Sequence, residues 1–283
     1  MHMDAIRPSR TAQGAAMHRA AHQLLDRPLL FEDPLALRII GTQAETELRS
    51  GRDWHGFAAP GLRAFIVARS RLAEDILCGA LARGTGQYVL LGAGLDTYAW
   101  RRNGNRPRVF EVDHPATQAW KKIRLDEAGM PAPANHVFAP VDFENESLFA
   151  GLERAGFDFG SPAVVAWLGV TPYLTAEAVA ATLGFLATRL KPGSEILFDY
   201  AEPLQRHDPA QAARFAALSE RVARAGEPFR SFFEPGGLAR DLRALGFSQI
   251  CDLDAPALNA RYLASRNDGL RIVGGGHCLH AWT

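Results

Sequence analysis

The sequence predicts an α/β fold: a mostly parallel β-sheet with helices on both faces, preceded by a helical segment. Three observations carry this reading. From about residue 85 onward, short apolar runs alternate with helical stretches, the signature of repeated strand–helix units around a parallel sheet. Before Gly84 the chain reads as helical. The first apolar run feeds directly into a glycine turn, Gly92-Ala93-Gly94-Leu95-Asp96-Thr97, as in Rossmann-like nucleotide folds. The expected organisation is therefore a helical cap over residues 1–84 and a Rossmann-like domain over residues 85–283.

In the cap, Ala12 to Leu25 is helical with only Gly14 as a breaker. Asp33-Pro34 marks a helix start, because aspartate caps free amides and proline suits the first turn. Leu62 to Leu81 forms a longer helix with Phe65, Ile66, Ala73, Ile76 and Leu77 as apolar positions. In the second part, strands are expected at Tyr88–Leu91, Val109–Val112, His136–Val141, Ala163–Leu168 and Ile196–Tyr200. Two late strands follow, Ser248–Leu253 and Gly276–Trp282, which makes seven in all. A helix beginning at Thr175 carries Val179, Leu183, Leu186 and Leu190 on one face and stops at Lys191-Pro192-Gly193. Further helices cover roughly Ala210–Ala225 and Leu238–Leu245, the second ended by Gly246.

With 283 residues, 47% of them hydrophobic, the chain can bury a sizeable core. Its 31 acidic and 31 basic residues cancel, so nothing favours capture of nucleic acid or an anionic membrane. Cys78, Cys251 and Cys278 stand apart, with no metal-ligand spacing, which suits a reducing cytoplasm and neither a disulfide framework nor a zinc site. No N-terminal apolar region reads as a signal peptide, and no eighteen-residue apolar stretch reads as a membrane span.

Asp113 closes the second strand nineteen residues after Gly94, where a carboxylate accepts hydrogen bonds from ribose hydroxyls. The dinucleotide fingerprint places a third glycine where this chain has Thr97, and it puts no acid in the turn, whereas Asp96 stands there. An acid repels a pyrophosphate but tolerates a cationic sulfonium. The turn therefore favours S-adenosylmethionine over a nicotinamide dinucleotide, with an oxidoreductase as the competing reading.

Four segments in this order, LLGAGLDTYAWRR, VFEVDHPATQAWKKIRL, VDFE and WLGVTPYLT, resemble the leucine carboxyl methyltransferase family. The opening SRTAQGAAMHRAAHQLLDRPLLFEDPLA is similar to the N-terminal segment of its bacterial branch. The resemblance implies a class I methyltransferase fold that uses S-adenosylmethionine as cofactor. It implies that Arg69 pairs with the methionine carboxylate of the cofactor, for which a guanidinium fork is suited. Gly92, Ala93 and Gly94 match the cofactor-binding turn and Asp113 the ribose acid, with Glu111 on the same strand able to share that task. Asp142 and Phe143 match a pair at the adenine. At Leu168 the chain departs from the family, which usually has an acid there beside the cofactor. That departure opens a further alternative, a homologue that binds cofactor without turnover.

The resemblance implies O-methylation of a small-molecule acceptor. A carboxylate is already ionised at neutral pH, whereas a phenol profits from a base. Candidates on the acceptor side are Arg10, His18, Arg19 and His22 in the cap, and Tyr173 and Tyr200 after the fourth and fifth strands. His18 and His22 are four apart and share a helix face. The segment from about Ser9 to Ile40 is expected to cover the acceptor as a lid.

Overall fold

The computed structural model describes residues 9–51, 60–102, 107–142, 145–203, 209–224 and 226–283. The cap contributes α1 (Arg10–Leu25), α2 (Ala36–Ile40), α3 (Thr42–Arg49) and α4 (Pro60–Ala82). The α/β part then runs β1 (Gln87–Leu91), α5 (Tyr98–Arg101), β2 (Arg108–Asp113), α6 (Pro115–Glu127), β3 (His136–Pro140) and α7 (Leu148–Arg154). It continues with β4 (Ala163–Trp167), a 3-10 turn (Thr171–Tyr173), α8 (Ala176–Arg189), β5 (Glu195–Ala201), α9 (Pro209–Arg224) and α10 (Pro235–Leu245). It ends with β6 (Gln249–Leu253), α11 (Ala255–Tyr262) and β7 (Gly276–Trp282).

The strands form one seven-stranded sheet in the order β3-β2-β1-β4-β5-β7-β6. β7 runs antiparallel to β5 and β6, and the other pairings are parallel. The strand order reverses between β1 and β4, which opens a crevice at the carboxyl ends of those strands.

Alternation along the strands builds two cores. Tyr88, Leu90, Val164, Ala166 and Leu197 face one side and pack with Ala64, Ala68, Leu72 and Leu77 of α4. Val89, Leu91, Phe110, Val165, Ile196 and Phe198 face the other and pack with Leu152, Leu183, Leu186 and Leu242. The division expected at residue 84 thus follows a helix, α4, that is itself part of the sheet's covering layer. A third cluster joins Ala16, Met17, Ala20 and Ala21 of α1 to Ile39, Ile40, Leu95 and Leu125, seating the front of the cap on the glycine turn and α6.

Local chemistry sets the helix ends. The Thr175 hydroxyl accepts from the Ala178 amide, so Thr175 caps α8 and does not lie within it. Gly246 ends α10 in the left-handed region. Helices α3, α5, α7 and α11 have eight residues or fewer and show too little periodicity to stand out in the sequence. α6 is longer, and its start does carry a signal: Pro115 at its first position, with His114 as cap accepting from the Ala116 amide. Among the described residues, no helix is long and apolar enough to cross a membrane.

Candidate active site

A cavity of about 300 Å³ lies over the carboxyl ends of β1, β2 and β4. Its floor is the glycine turn. Gly92 and Gly94 have φ values of 68° and 50°, a region that side-chain-bearing residues disfavour. The amides of Gly92 and Ala93 both donate to the Val112 carbonyl, at 2.8 and 3.2 Å. A Cβ on Gly92 would stand 2.4 Å from Val170 Cγ2, and one on Gly94 would stand 3.0 Å from Ala12 Cβ of α1. Two walls of the cavity therefore close directly onto this turn, and glycine is what permits it.

Asp113 lines the cavity and holds the turn from beneath. Its Oδ2 accepts from the Gly94 amide at 2.6 Å and its Oδ1 from the His114 amide at 2.7 Å. Burial pushes its carboxyl above the ordinary range, against the opposing pull of those two amides. Arg69 reaches the cavity from α4, and its Nη1 donates to Asp199 Oδ2 at 2.6 Å. Leu168 lines the same wall and packs against the core of its sheet face.

α1 forms the roof, held at two points. The Glu227 carboxylate accepts from the Arg10 amide at 3.2 Å and the Thr11 amide at 2.8 Å, capping the helix from the segment after α9. Further along, Arg19 Nη2 donates to the Leu95 carbonyl at 2.8 Å, and Arg19 Nε lies 3.6 Å from Asp33 Oδ2. Asp33 is fully buried and also accepts from the Thr97 hydroxyl at 2.7 Å, so it ties α1 to the end of the glycine turn.

The expected site residues fall into two groups. Arg19, Arg69, Gly92, Ala93, Gly94, Asp113, Leu168 and Tyr173 come together around the cavity. Burial pushes the Tyr173 hydroxyl up to about 12. The others are placed elsewhere. Glu111 is fully buried, its Oε2 accepts from Lys121 Nζ of α6 at 2.6 Å, and it is not among the cavity's described lining. Asp142 follows β3, where its Oδ2 accepts from Asn145 Nδ2 at 2.7 Å, and it is not among the cavity's described lining. Phe143 lies outside the described residues.

The histidine pair is interior and does not form an acceptor-facing surface. Residues Ala16 to His22 of α1 are all buried, so this helix has no exposed side there. His18 is 2% exposed and outside the cavity lining. His22 Nδ1 bonds Asp26 Oδ2 at 2.7 Å, and its Nε2 accepts from the Leu30 and Phe31 amides at 3.0 and 3.2 Å. Both ring nitrogens thus serve the fold. Arg63 of α4 is buried and grips Asp26 with two bonds of 2.8 and 2.9 Å. Arg10 is exposed and contributes its backbone amide to the Glu227 cap. Tyr200 is core: its hydroxyl donates to Asp252 Oδ2 at 2.6 Å and its ring stacks on His277. Burial raises its hydroxyl far above the usual tyrosine range.

Sequence reasoning missed Asp33, Asp199 and Glu227 as parts of this site. Asp199 and Glu227 act through partners 130 and more than 200 residues away, which no local pattern announces.

Solved structures share this architecture. A protein from Thermobifida fusca YX, described as a methyltransferase, superposes with a TM-score of 0.57 over 95% of this chain and 94% of that one, at 19% identity. A DUF574 family protein from Streptomyces avermitilis MA-4680 gives 0.54 over 95% and 96%, at 14% identity. The fold is the Rossmann-like methyltransferase fold.

The family follows from sequence. YktD of Bacillus subtilis (strain 168), whose name describes an S-adenosyl-L-methionine-dependent methyltransferase, is 30% identical over 298 aligned residues, covering 96% of this chain and 97% of YktD. FRAAL3836 of Frankia alni, named in the same terms, is 35% identical over 222 residues, or 74% and 75% of the two chains. The profile described as leucine carboxyl methyltransferase matches residues 12–187. The chain belongs to the leucine carboxyl methyltransferase family and is a methyltransferase.

Proposed function

We propose that this methyltransferase uses S-adenosylmethionine to methylate a carboxylate oxygen of a small-molecule acceptor, giving a methyl ester. The observation that carries the reading is the composition of the cavity. Its described lining contains no histidine, lysine or cysteine, and its cations are Arg19 and Arg69. A phenol or alcohol would need a base to lose its proton, whereas a carboxylate arrives ionised. The carboxylates of the lining are already engaged, Glu74 by Arg101 and Arg102, Asp96 by the Tyr98 amide, Asp113 by the Gly94 and His114 amides and Glu227 by the Arg10 and Thr11 amides. The two histidines that sequence offered as bases are placed outside this lining, and His22 has both nitrogens engaged.

The lining also fits the donor. Glu74, Asp96, Asp113 and Glu227 give the cavity an acidic cast, which suits a sulfonium and an ammonium better than a pyrophosphate. When bound, S-adenosylmethionine supplies an electrophilic methyl carbon. Gly92 and Gly94 would allow close approach along the turn, Asp113 would accept from the ribose hydroxyls, and Arg69 would hold the methionine carboxylate. α1 would exclude water and orient the acceptor, with Arg19 lining the cavity beneath it. The free thiols Cys78, Cys251 and Cys278 support a cytoplasmic setting.

The test uses radiolabelled S-adenosylmethionine with a panel of aromatic and aliphatic carboxylic acids and the matching phenols. The expected product releases labelled methanol in mild base. Its single-turnover rate should vary little between about pH 6 and 9, because the nucleophile is ionised throughout. A base-stable product, or a rate that climbs across that range, would overturn the carboxylate assignment.

A further inference from the structure

The wall that carries Arg69 contains a buried ion pair with no place in the family pattern read from the sequence. Asp199, on β5, is 3% exposed. Its Oδ2 takes the Arg69 Nη1 bond at 2.6 Å, and its Oδ1 accepts from the Gly169 amide at 2.6 Å. Its backbone carbonyl accepts from the Thr171 hydroxyl, in the 3-10 turn that presents Tyr173 to the cavity. A Cβ on Gly169 would stand 2.6 Å from Arg69 Nη2, so the guanidinium lies against the backbone just after Leu168. Arg69, Leu168 and Gly169 all line the cavity, and Asp199, outside that lining, holds two of them through the Arg69 guanidinium and the Gly169 amide.

The amino-acid end of the donor is a zwitterion, with one anionic and one cationic group. A wall bearing Arg69 and Leu168 alone offers a complement to the anion only. Asp199 changes this, because it places a carboxylate against the Gly169 amide, one residue from where the family acid would stand. We propose that Asp199 is the positioning residue for the amino-acid end of the donor. It fixes Arg69 toward the donor's carboxylate and supplies, from β5, the negative charge that the chain lacks at position 168. The inference rests on S-adenosylmethionine being the donor.

The experiment compares two ligands by titration calorimetry. S-adenosylhomocysteine carries the amino-acid end, and 5′-methylthioadenosine lacks it. Asp199→Asn keeps side-chain size and an oxygen for the Gly169 amide while removing the charge. It should weaken S-adenosylhomocysteine by about tenfold or more, the scale of a lost charge-assisted contact, and should leave 5′-methylthioadenosine within about twofold of wild type. Adding Leu168→Glu to that variant should restore most of the lost affinity. Equal losses for both ligands would mark Asp199 as merely structural, and an unchanged S-adenosylhomocysteine affinity would also overturn the proposal. Wild-type protein provides an independent check if the variant folds poorly. The des-amino analogue of S-adenosylhomocysteine should bind about tenfold more weakly than the parent, and equal binding would refute the charge assigned to Asp199. Wild-type protein that bound none of these ligands would refute the donor reading itself, a result distinct from the others.

Discussion

Replacing Gly92 with alanine tests the floor of the cavity, and the geometry sets the expected cost. At φ 68° an alanine pays the left-handed penalty, roughly 1–2 kcal/mol. Its Cβ would also meet Val170 Cγ2 at 2.4 Å, and a β-branched valine is stiff at χ1, so the neighbour does not give way cheaply. Overpacking of this kind costs roughly 1–3 kcal/mol, which brings the total to about 2–5 kcal/mol. For 283 residues the unfolding entropy is about 0.6 kcal/mol per degree, so Gly92→Ala should lower Tm by about 3–8 °C. S-adenosylhomocysteine at one hundred times its Kd should stabilise wild type by about 2.7 kcal/mol and should stabilise the variant much less, because the turn no longer lies flat beneath the ligand. Truncating the obstacle separates the two costs. In Gly92→Ala/Val170→Ala the overlap is gone and the backbone strain remains, so the double variant should be more stable than the sum of the singles by about 1–3 kcal/mol. Thermal unfolding with and without ligand measures all of this. A Gly92→Ala protein with wild-type Tm and wild-type ligand shift, or strictly additive variants, would refute the account of the turn.

Two further predictions concern how the cap is fastened. Burial alone would raise the Asp26 carboxyl, but hydrogen bonds from His22 and Arg63 more than offset it and hold the group at about 2. A lowered carboxylate pKa contributes stability above the unfolded value, here about 2 kcal/mol, and loses it as pH falls from about 4 toward 2. Asp26→Asn should therefore be less stable than wild type at pH 7 in urea unfolding, with the gap narrowing through that acid window; a gap constant with pH would contradict the assignment. Glu227→Ala removes the acceptor for the Arg10 and Thr11 amides. It should cost about 0.5–2 kcal/mol and raise deuterium uptake in the peptide spanning α1, while uptake in β1 and β4 stays as in wild type. Unchanged uptake in α1 would show that the cap does not depend on this carboxylate.

The parts of the molecule governed by short-range pattern were readable from sequence, and the parts governed by long-range pairing were not. Apolar runs such as Ala163 to Trp167 are buried on both faces, so each announces a strand wherever it lands in the sheet. The glycine turn was readable because backbone conformation limits which residues can occupy it. The spacing of His18 and His22 correctly placed them on one face of α1, yet spacing carries no information about what covers that face. Here seven consecutive residues are enclosed, including two histidines and an arginine, because alanines at positions 16, 20 and 21 let neighbouring elements pack close around the helix. The polar groups so enclosed then need partners, and the fold provides them: Asp26 for His22, Asp33 and the Leu95 carbonyl for Arg19. The same reasoning bears on the family acid that the chain lacks at position 168. A negative charge is a property of a location in space and can be delivered from any strand whose end reaches it. β5 lies beside β4 in the sheet, with Trp167 opposite Phe198, so the residue after Phe198 reaches the turn that follows β4. Position 199 is thus a neighbour of positions 168 and 169 in space though thirty residues away in sequence, and only the sheet order makes that adjacency visible.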